Sequence, residues 1–279
     1  MDLQAALTAL AARASGRLGV AIRYLPDGPV YQLRADEAFY PASVIKVPIL
    51  AEVFCQAAEG RLDLNHRVAV LDEDRREGSG ILASLKPGLA LTIGDLAELM
   101  IVISDNTATA ALVRLVGAPA VNARMRDLGL ARTRLAGAMA GDRESRDRSE
   151  TTPADMLRLF ELLWRGEIAG PEESARMLDI LSRQQFMDLA RYLPVDDLSE
   201  EDGRQQSAVL LASKSGAVNG VRNDVGLITA RTAKGPRHYI VSVFTNEVED
   251  GRLWTPENLA MLTVGEVSRL AYRHLLEDL

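Results

Sequence analysis

The sequence predicts an α+β protein whose antiparallel sheet is built from both ends of the chain, flanked by helices, with an all-helical region inserted between its halves. Strand patterns occur near the two termini, whereas helical apolar spacing dominates the middle. With 279 residues, 47% hydrophobic and 25% charged, the chain is long enough for one large domain or two closely packed subdomains. We expect the sheet part at about residues 1–42 and 195–279, and the helical part at about residues 43–194.

The first part of the chain supplies one helix and a hairpin. Residues 2–15 have helical apolar spacing. Residues 18–25 and 29–33 have strand patterns, and the Pro-Asp-Gly sequence at residues 26–28 predicts the turn between them.

The remaining elements are predicted from the spacing of apolar residues and from the length of each apolar segment. Helices are predicted at residues 43–58, 92–103, 105–116, 119–128, 153–166 and 172–184, and a closing helix at residues 257–276. Strands are predicted at residues 208–213, 224–229 and 238–244. The charged stretches 137–150 and 195–206 are expected to be exposed loops. Ligand sites favour clefts, and a cleft is expected where the sheet and the inserted helices meet.

Charge and hydropathy exclude two classes of partner. A net charge of -7 disfavours nucleic acid, which needs a clustered basic face. No apolar run approaches the roughly 20 residues that span a bilayer. Residues 1–19 are typical of an amphipathic helix and not of a signal peptide. Two alternatives remain, namely a cytoplasmic protein or a secreted or periplasmic protein whose signal has been removed; the oligomeric state is left open.

Neither a disulfide nor a histidine-based metal site is expected. The single cysteine, Cys55, lies in an apolar helical stretch and cannot form an internal disulfide. The three histidines, His66, His238 and His274, are scattered without ligand spacing. We therefore expect no metal, and no cofactor is indicated.

Lysine is scarce, and its positions are informative. Of 32 basic residues, only four are lysines: Lys46, Lys86, Lys214 and Lys234. Arginine keeps its proton in proteins, whereas a buried lysine can lose it and act as a base. Lys86 and Lys234 stand beside Pro87 and Gly235, which is typical of turns. Lys46 and Lys214 are therefore the candidates for chemistry.

The pair Ser43 and Lys46 has the spacing of a nucleophile and its base. Three residues apart at the start of a helix, the two side chains share one face. A serine hydroxyl is a weak nucleophile until a base accepts its proton. Burial or a nearby cation would disfavour the charged form of the lysine and fit it for that role. A surface serine with a salt-bridged lysine is the alternative.

Two further segments carry polar residues suited to a cleft. The segment 103–107 lies at a break between two helical patterns, where Asp105 and Asn106 can cap the second helix, which leaves Ser104 to point into a cleft. The segment 213–217 ends a strand pattern, and its Gly216 permits close approach of a neighbour. For Lys214, the alternative is an edge-strand lysine that discourages aggregation.

The three segments in this order resemble the motifs of class A β-lactamases and penicillin-binding proteins, a superfamily of serine hydrolases. Ser-x-x-Lys stands at residues 43–46, Ser-Asp-Asn at 104–106 and Lys-Ser-Gly at 214–216. Three further segments, at residues 78–82, 150–153 and 220–226, resemble sequence landmarks of this family. The resemblance implies a β-lactamase/transpeptidase-like fold over the whole chain, residues 1–279, as a single catalytic domain.

The resemblance also implies roles for single residues. Ser43 would be the nucleophile that forms an acyl-enzyme, and Lys46 would accept its proton. Ser104, aided by Lys214, would relay a proton to the departing nitrogen. The backbone N–H groups of Ser43 and Ala217 would form the oxyanion hole.

A second set of residues would bind the substrate. By the same resemblance, Asn106 would position the substrate amide and support the lysine base. Ser215, Gly216 and Arg222 would hold the substrate, with a carboxylate bound by the forked guanidinium. The alternative for Arg222 is a salt bridge with nearby Asp224.

One departure from the family pattern bears on turnover. Class A β-lactamases carry a Glu-x-x-Leu-Asn stretch that activates the deacylating water, and the corresponding loop here, residues 136–150, lacks it. Counting back from Thr151 places the glutamate position near Ala136. Glu144 is the glutamate inside this loop and is a possible deacylation base, with a solvated loop charge as the alternative.

The expected activity is hydrolysis of a small-molecule β-lactam or peptide-like substrate, with deacylation impaired by the missing motif. A D,D-peptidase or an esterase acting on another acyl donor is the alternative among enzymes, and a glutaminase fits the other landmarks less well. A slowly deacylating penicillin-binding sensor is the alternative of a different class.

Overall fold

The computed structural model describes residues 2–86, 88–136, 148–195, 209–250 and 255–277. Within these ranges the α-helices are α1 (Leu3–Arg13), α2 (Lys46–Ala58), α3 (Ile93–Val102), α4 (Asn106–Val116), α5 (Ala118–Asp127), α6 (Pro153–Arg165), α7 (Pro171–Ser182) and α8 (Leu259–Glu277). The strands are β1 (Arg17–Tyr24), β2 (Val30–Leu33), β3 (Arg67–Ala69), β4 (Ala90–Thr92), β5 (Val209–Val218), β6 (Val221–Thr232) and β7 (Gly235–Asn246).

A five-stranded antiparallel sheet joins the two ends of the chain. Its order is β2-β1-β7-β6-β5, so the N-terminal hairpin pairs with the C-terminal three-stranded meander. In register, Val20 of β1 faces Val243 of β7, and Ser215 of β5 faces Asp224 of β6. The predicted sheet from both termini is thereby confirmed.

Helices cover both faces of the sheet. On one face, α1 and α8 pack with sheet residues into a buried apolar cluster that includes Leu7, Val241 and Val264. On the other face, a larger cluster includes Phe244 of β7 and Phe54 of α2, together with residues of α3 to α7. The inserted helices therefore share one core with the sheet, and the elements are fixed relative to one another.

Capping residues define where several helices begin and end. Thr92 and Asp95 form a reciprocal capping box at the start of α3. The hydroxyl of Thr152 accepts a hydrogen bond from the third residue of α6, and Pro153 occupies the first helical position, where its missing N–H costs nothing. Gly166 ends α6 in the left-handed conformation that glycine adopts without strain.

Two strand assignments differ from the sequence prediction. Strands β3 and β4 form a two-stranded ribbon inside the predicted helical part, and at three residues each they are too short for alternation to reveal them. Strand β5 continues through the Lys-Ser-Gly segment to Val218 and does not end before it. The predicted loops 137–150 and 195–206 lie mostly outside the described residues.

Helix α8 is the longest described helix, with 19 residues. It carries charged side chains, among them Glu266 and Arg269, which pair with each other. Neither α8 nor any other helix in the described ranges is both long and apolar enough to cross a bilayer.

Truncating the packed face of α1 tests the role of this helix in the fold. Leu7 is fully buried against the sheet, so Leu7→Ala should lower the free energy of unfolding by about 2–5 kcal/mol through lost burial and a residual cavity. Thr8→Ala, on the exposed side of the same helix, should change it by less than about 0.5 kcal/mol. Urea denaturation of both variants measures the difference, and equal losses would contradict this packing.

Candidate active site

A tight turn carries the predicted nucleophile. Residues Ala42–Ile45 form a 3-10 helix that leads directly into α2. Ser43 is half-buried and lines a pocket. In a 3-10 helix, residues three apart eclipse one another, which brings Ser43 and Lys46 to the same side. Ala42 has a φ of 47°, a strained conformation for a residue with a side chain, and such strain is concentrated at functional sites.

Lys46 is 2% exposed, and its amine is held by the segment that follows α3. Nζ donates hydrogen bonds to Ser104 O at 2.7 Å, to Ser104 Oγ at 3.0 Å and to Asn106 Oδ1 at 2.8 Å. Burial, reinforced by the positive charge of Lys214, holds the pKa of Lys46 well below its usual range. A neutral amine can accept a proton from a hydroxyl, as a base for Ser43 requires.

Asp105 fixes the segment that holds the amine. Its Oδ1 accepts the N–H of Ala108 at 2.9 Å and caps α4, as the sequence predicts. Its Oδ2 accepts the N–H groups of Ile81 at 2.6 Å and Leu82 at 2.9 Å, which ties a second loop to the same carboxylate. Ser104 itself has a φ of 57°, so its strained backbone is held from both sides.

The loop tied down by this carboxylate places a serine in the pocket. Ser79 lines the pocket, and its backbone carbonyl accepts the N–H of Asn106 at 3.0 Å. A Cβ at Gly80 would lie 2.2 Å from the Asp105 carboxylate, and one at Gly78 would lie 2.9 Å from Asn106 Nδ2. Only glycine fits at these close approaches, which explains the Gly-Ser-Gly sequence.

Strand β5 brings Lys214 and Gly216 against the nucleophile turn. Lys214 is fully buried, and its Nζ donates to Ser215 O at 2.9 Å. Although β5 is an edge strand, the interpretation of Lys214 as an exposed edge lysine is wrong, because burial removes it from solvent and lowers its pKa to about 7. A Cβ at Gly216 would lie 2.6 Å from Pro41 O and 2.8 Å from Ser43 N. Glycine therefore lets the strand approach the turn.

Arg222 lines the same pocket and is paired with an acid. Its Nε is 2.8 Å from Asp188 Oδ2. The ion pair that the structure shows for Arg222 is thus with Asp188, whereas burial and the nearby Asp188 charge raise the pKa of Asp224 to about 8. The hydroxyl of Ser215 accepts a hydrogen bond from Gln184 Nε2 at 3.1 Å.

These side chains surround one pocket of about 290 Å³. The described residues that line it are Ser43, Ser79, Ser104, Gln185, Phe186, Met187, Asp188, Ser215, Ala217, Arg222 and Met261. The structure thus brings together the predicted Ser43, Ser104, Ser215, Ala217 and Arg222, with Lys46 and Lys214 buried and Asn106 bonded to Lys46. Glu144 lies outside the described residues.

Sequence reasoning missed the residues that complete the lining. The sequence prediction uses residues 78–82 as a landmark and does not single out Ser79. The glycines on either side of Ser79 are a signal of close backbone contact that could have identified it. The segment 185–188 and Met261 reach the pocket through tertiary packing, for which the sequence offered no periodic or motif signal. Across the described ranges, no three His, Cys, Asp or Glu side chains are grouped so that they could hold a metal ion.

The sequence matches a protein-family model along nearly its whole length. The model of the "Beta-lactamase enzyme family" matches residues 2–275. The chain belongs to this family. The motif resemblance seen in the sequence is therefore confirmed.

Individual relatives within the β-lactamase family are moderately similar. β-Lactamase L2 of Stenotrophomonas maltophilia is 33% identical over 177 residues, which are 62% of this chain and 55% of that protein. β-Lactamase CTX-M-25 of Escherichia coli is 32% identical over 185 residues, which are 63% of this chain and 62% of that protein. The chain thus matches between half and two thirds of the length of these curated relatives.

Solved structures show the fold over nearly the whole chain. A β-lactamase from Sphaerobacter thermophilus superposes with a TM-score of 0.84 at 32% identity, covering 98% of this chain and 96% of that one. PBP-A superposes with a TM-score of 0.82 at 26% identity, covering 99% and 97%. A leucine-to-glutamate mutant of PBP-A has been solved as its acyl-enzyme complex with penicillin G. The β-lactamase/transpeptidase-like fold is thereby confirmed.

Replacing one buried lysine should change the titration of the other. Lys214 lowers the Lys46 pKa through charge repulsion, so Lys214→Met should raise the pKa of Lys46. NMR of lysine-labelled protein measures this shift, because the chain has only four lysines to resolve. Lys86→Met, at an exposed position, is the control and should leave the Lys46 titration unchanged. An unmoved Lys46 pKa in Lys214→Met would contradict the charge coupling.

Proposed function

We propose that this protein is a serine hydrolase of the class A β-lactamase type that forms an acyl-enzyme with β-lactams at Ser43. The observation that carries the proposal is the buried Lys46 amine, three residues from the half-buried Ser43 and hydrogen-bonded to Ser104 and Asn106. A neutral amine in that position activates a hydroxyl that is otherwise a weak nucleophile.

Acylation begins with one proton transfer and one attack. Lys46 Nζ accepts the proton of Ser43 Oγ, and Oγ attacks the lactam carbonyl carbon. The developing oxyanion is stabilised by the backbone N–H groups of Ser43 and Ala217, on the two elements that Gly216 allows to meet. Loss of one such donor costs on the order of 10²–10³ in turnover in other serine hydrolases.

The carbon–nitrogen bond then breaks, and the leaving nitrogen needs a proton. Ser104 Oγ lies 3.0 Å from Lys46 Nζ, so Ser104 can give its own hydroxyl proton to the nitrogen and regain one from the Lys46 ammonium, which returns Lys46 to the neutral amine. Lys214, whose Nζ donates to Ser215 O, contributes by its charge. Its positive charge favours the neutral form of Lys46.

Substrate binding falls to Asn106, Ser215, Gly216 and Arg222. Ser215 and Arg222 line the pocket, and a substrate carboxylate would lie against them. The guanidinium fork suits such a group.

Release of the acyl group is proposed to be slow. The loop 136–150 lacks the Glu-x-x-Leu-Asn stretch that activates the deacylating water in class A enzymes. The likeness to PBP-A, of which a mutant has been solved as an acyl-enzyme with penicillin G, supports a penicillin-binding behaviour of this kind. The protein would then be acylated readily and would turn over slowly, as a penicillin-binding enzyme or sensor.

Covalent labelling by a fluorescent penicillin tests the nucleophile and its base. Ser43→Ala should abolish labelling, because no hydroxyl remains to be acylated. Lys46→Arg should be nearly as damaging, since arginine supplies the charge but cannot accept the proton. Ser182→Ala and Lys234→Arg make matched changes at exposed positions and should label like the wild type. Labelling that survives in Ser43→Ala would refute the assignment.

Time-resolved intact mass with a chromogenic cephalosporin tests the release step. We expect a burst of colour equal to one equivalent of protein, and a mass increase by one acyl group that persists for hours. The reason is that acylation needs only the residues described above, whereas deacylation needs an activated water. Rapid multiple turnover without a persistent adduct would show that another group activates the water.

A further inference from the structure

We propose that Asp188 is a specificity-determining residue that offsets the charge of Arg222 in the pocket. As a result, the site accepts acyl donors whose leaving group is uncharged nearly as well as those whose leaving group bears a carboxylate. The proposal deepens the proposed function and rests on it, because it concerns the substrate class of the same pocket.

The geometry places an acid where a substrate carboxylate is expected. Asp188 and Arg222 both line the pocket that contains Ser43, and Asp188 Oδ2 lies 2.8 Å from Arg222 Nε. Their side chains are 12% and 6% exposed, so water and salt screen the pair weakly. A bound carboxylate would therefore meet a carboxylate as well as a guanidinium, and the two charges on the protein largely cancel.

Charged groups from three elements surround Asp188. Burial is the largest influence on its carboxyl and raises its pKa, whereas Arg222 of β6 and Arg191 of its own segment lower it. Asp224 of β6 is the neighbouring acid, and burial together with the Asp188 charge raises the pKa of Asp224 to about 8. Lys214 of β5 acts on Asp224 in the opposite direction.

The segment that carries Asp188 is fastened to the site. The backbone N–H of Leu189 donates to Asp224 Oδ2 at 3.0 Å, and Gln184 Nε2 donates to Ser215 Oγ at 3.1 Å. The N–H of Gln185 donates to Val102 O at 3.0 Å, beside the segment that holds Lys46. These bonds lie on both sides of Asp188 in sequence and hold its carboxylate at the pocket wall.

Beside its serines and Gln185, the lining also offers apolar contact. Phe186 and Met187 precede Asp188 and are 46% and 38% exposed, and Met261 of α8 also lines the pocket. Among the described lining residues, Arg222 is the only one with a cationic side chain. An uncharged, apolar leaving group therefore finds contact area without losing a strong ionic partner.

Paired substrates measure this discrimination directly. The second-order rate constant of acylation is measured for a chromogenic cephalosporin and for the methyl ester of its carboxylate. We expect the wild type to prefer the carboxylate by less than about tenfold, because Asp188 offsets the attraction to Arg222. Asp188→Asn should raise that preference at least about tenfold, through tighter binding and not through a faster maximal acylation rate.

Two controls separate charge from shape. Asp188→Glu keeps the charge and should keep the wild-type preference. Asp179→Asn removes an exposed carboxylate that is paired with Arg183 on α7 and should also leave the preference unchanged. A fall in carboxylate preference in Asp188→Asn would overturn the proposal, because it would show that Asp188 only positions Arg222; an unchanged preference would overturn it as well.

A binding measurement keeps this test separate from the proposed function. If neither substrate acylates the wild type, the proposed function fails. Calorimetric binding of the same cephalosporin and its methyl ester to Ser43→Ala, with and without Asp188→Asn, then decides the charge proposal alone. Stronger selective binding of the carboxylate form after Asp188→Asn supports it, and no selective gain overturns it.

Discussion

A lysine amine sealed from water, that of Lys46, is the constraint on which the rest of the site depends. Its charged form is costly at 2% exposure, and the charge of Lys214 opposes it further. Ser104 O and Asn106 Oδ1 can accept the two hydrogens of the neutral amine, and the Ser104 hydroxyl lies beside it. The acceptors all come from the segment 104–106, which explains why that segment is capped and tied so firmly. The burial of the Lys46 amine therefore accounts both for its fitness as a base and for the firm attachment of the segment 104–106.

Close backbone contact brings the parts of the site together. The turn before α2, the segment after α3 and strand β5 come from distant parts of the chain and meet without a metal or disulfide among the described residues. Glycines at residues 78, 80 and 216 mark the contacts where any side chain would hold two segments apart. Such dense packing fixes the relative positions of the hydroxyl, the amine and the backbone N–H groups.

Much of this arrangement follows from the sequence, and the exceptions have physical reasons. Ser43 and Lys46 were predictable because their spacing alone sets their geometry, and lysine scarcity pointed to Lys214. The pairing of Arg222 with Asp188 was not predictable, because nearness in sequence favoured Asp224, whereas Asp188 lies 34 residues away and reaches the arginine only through the fold. The short ribbon β3–β4 depends on tertiary contacts that leave no periodic pattern in the sequence. The same holds for Phe186, Met187 and Met261 in the pocket wall.

The pairing of β1 with β7 sets an order on assembly during synthesis. Arg17 pairs with Asn246, so β1 can form its hydrogen bonds to β7 only after residues more than two hundred positions later have been synthesised. Contacts of such sequence separation form slowly, because a long loop must close first. A ribosome-bound chain that has not yet released β7 therefore exposes an open sheet edge, and this protein depends on late closure, or on protection of that edge, to avoid aggregating while it is being made.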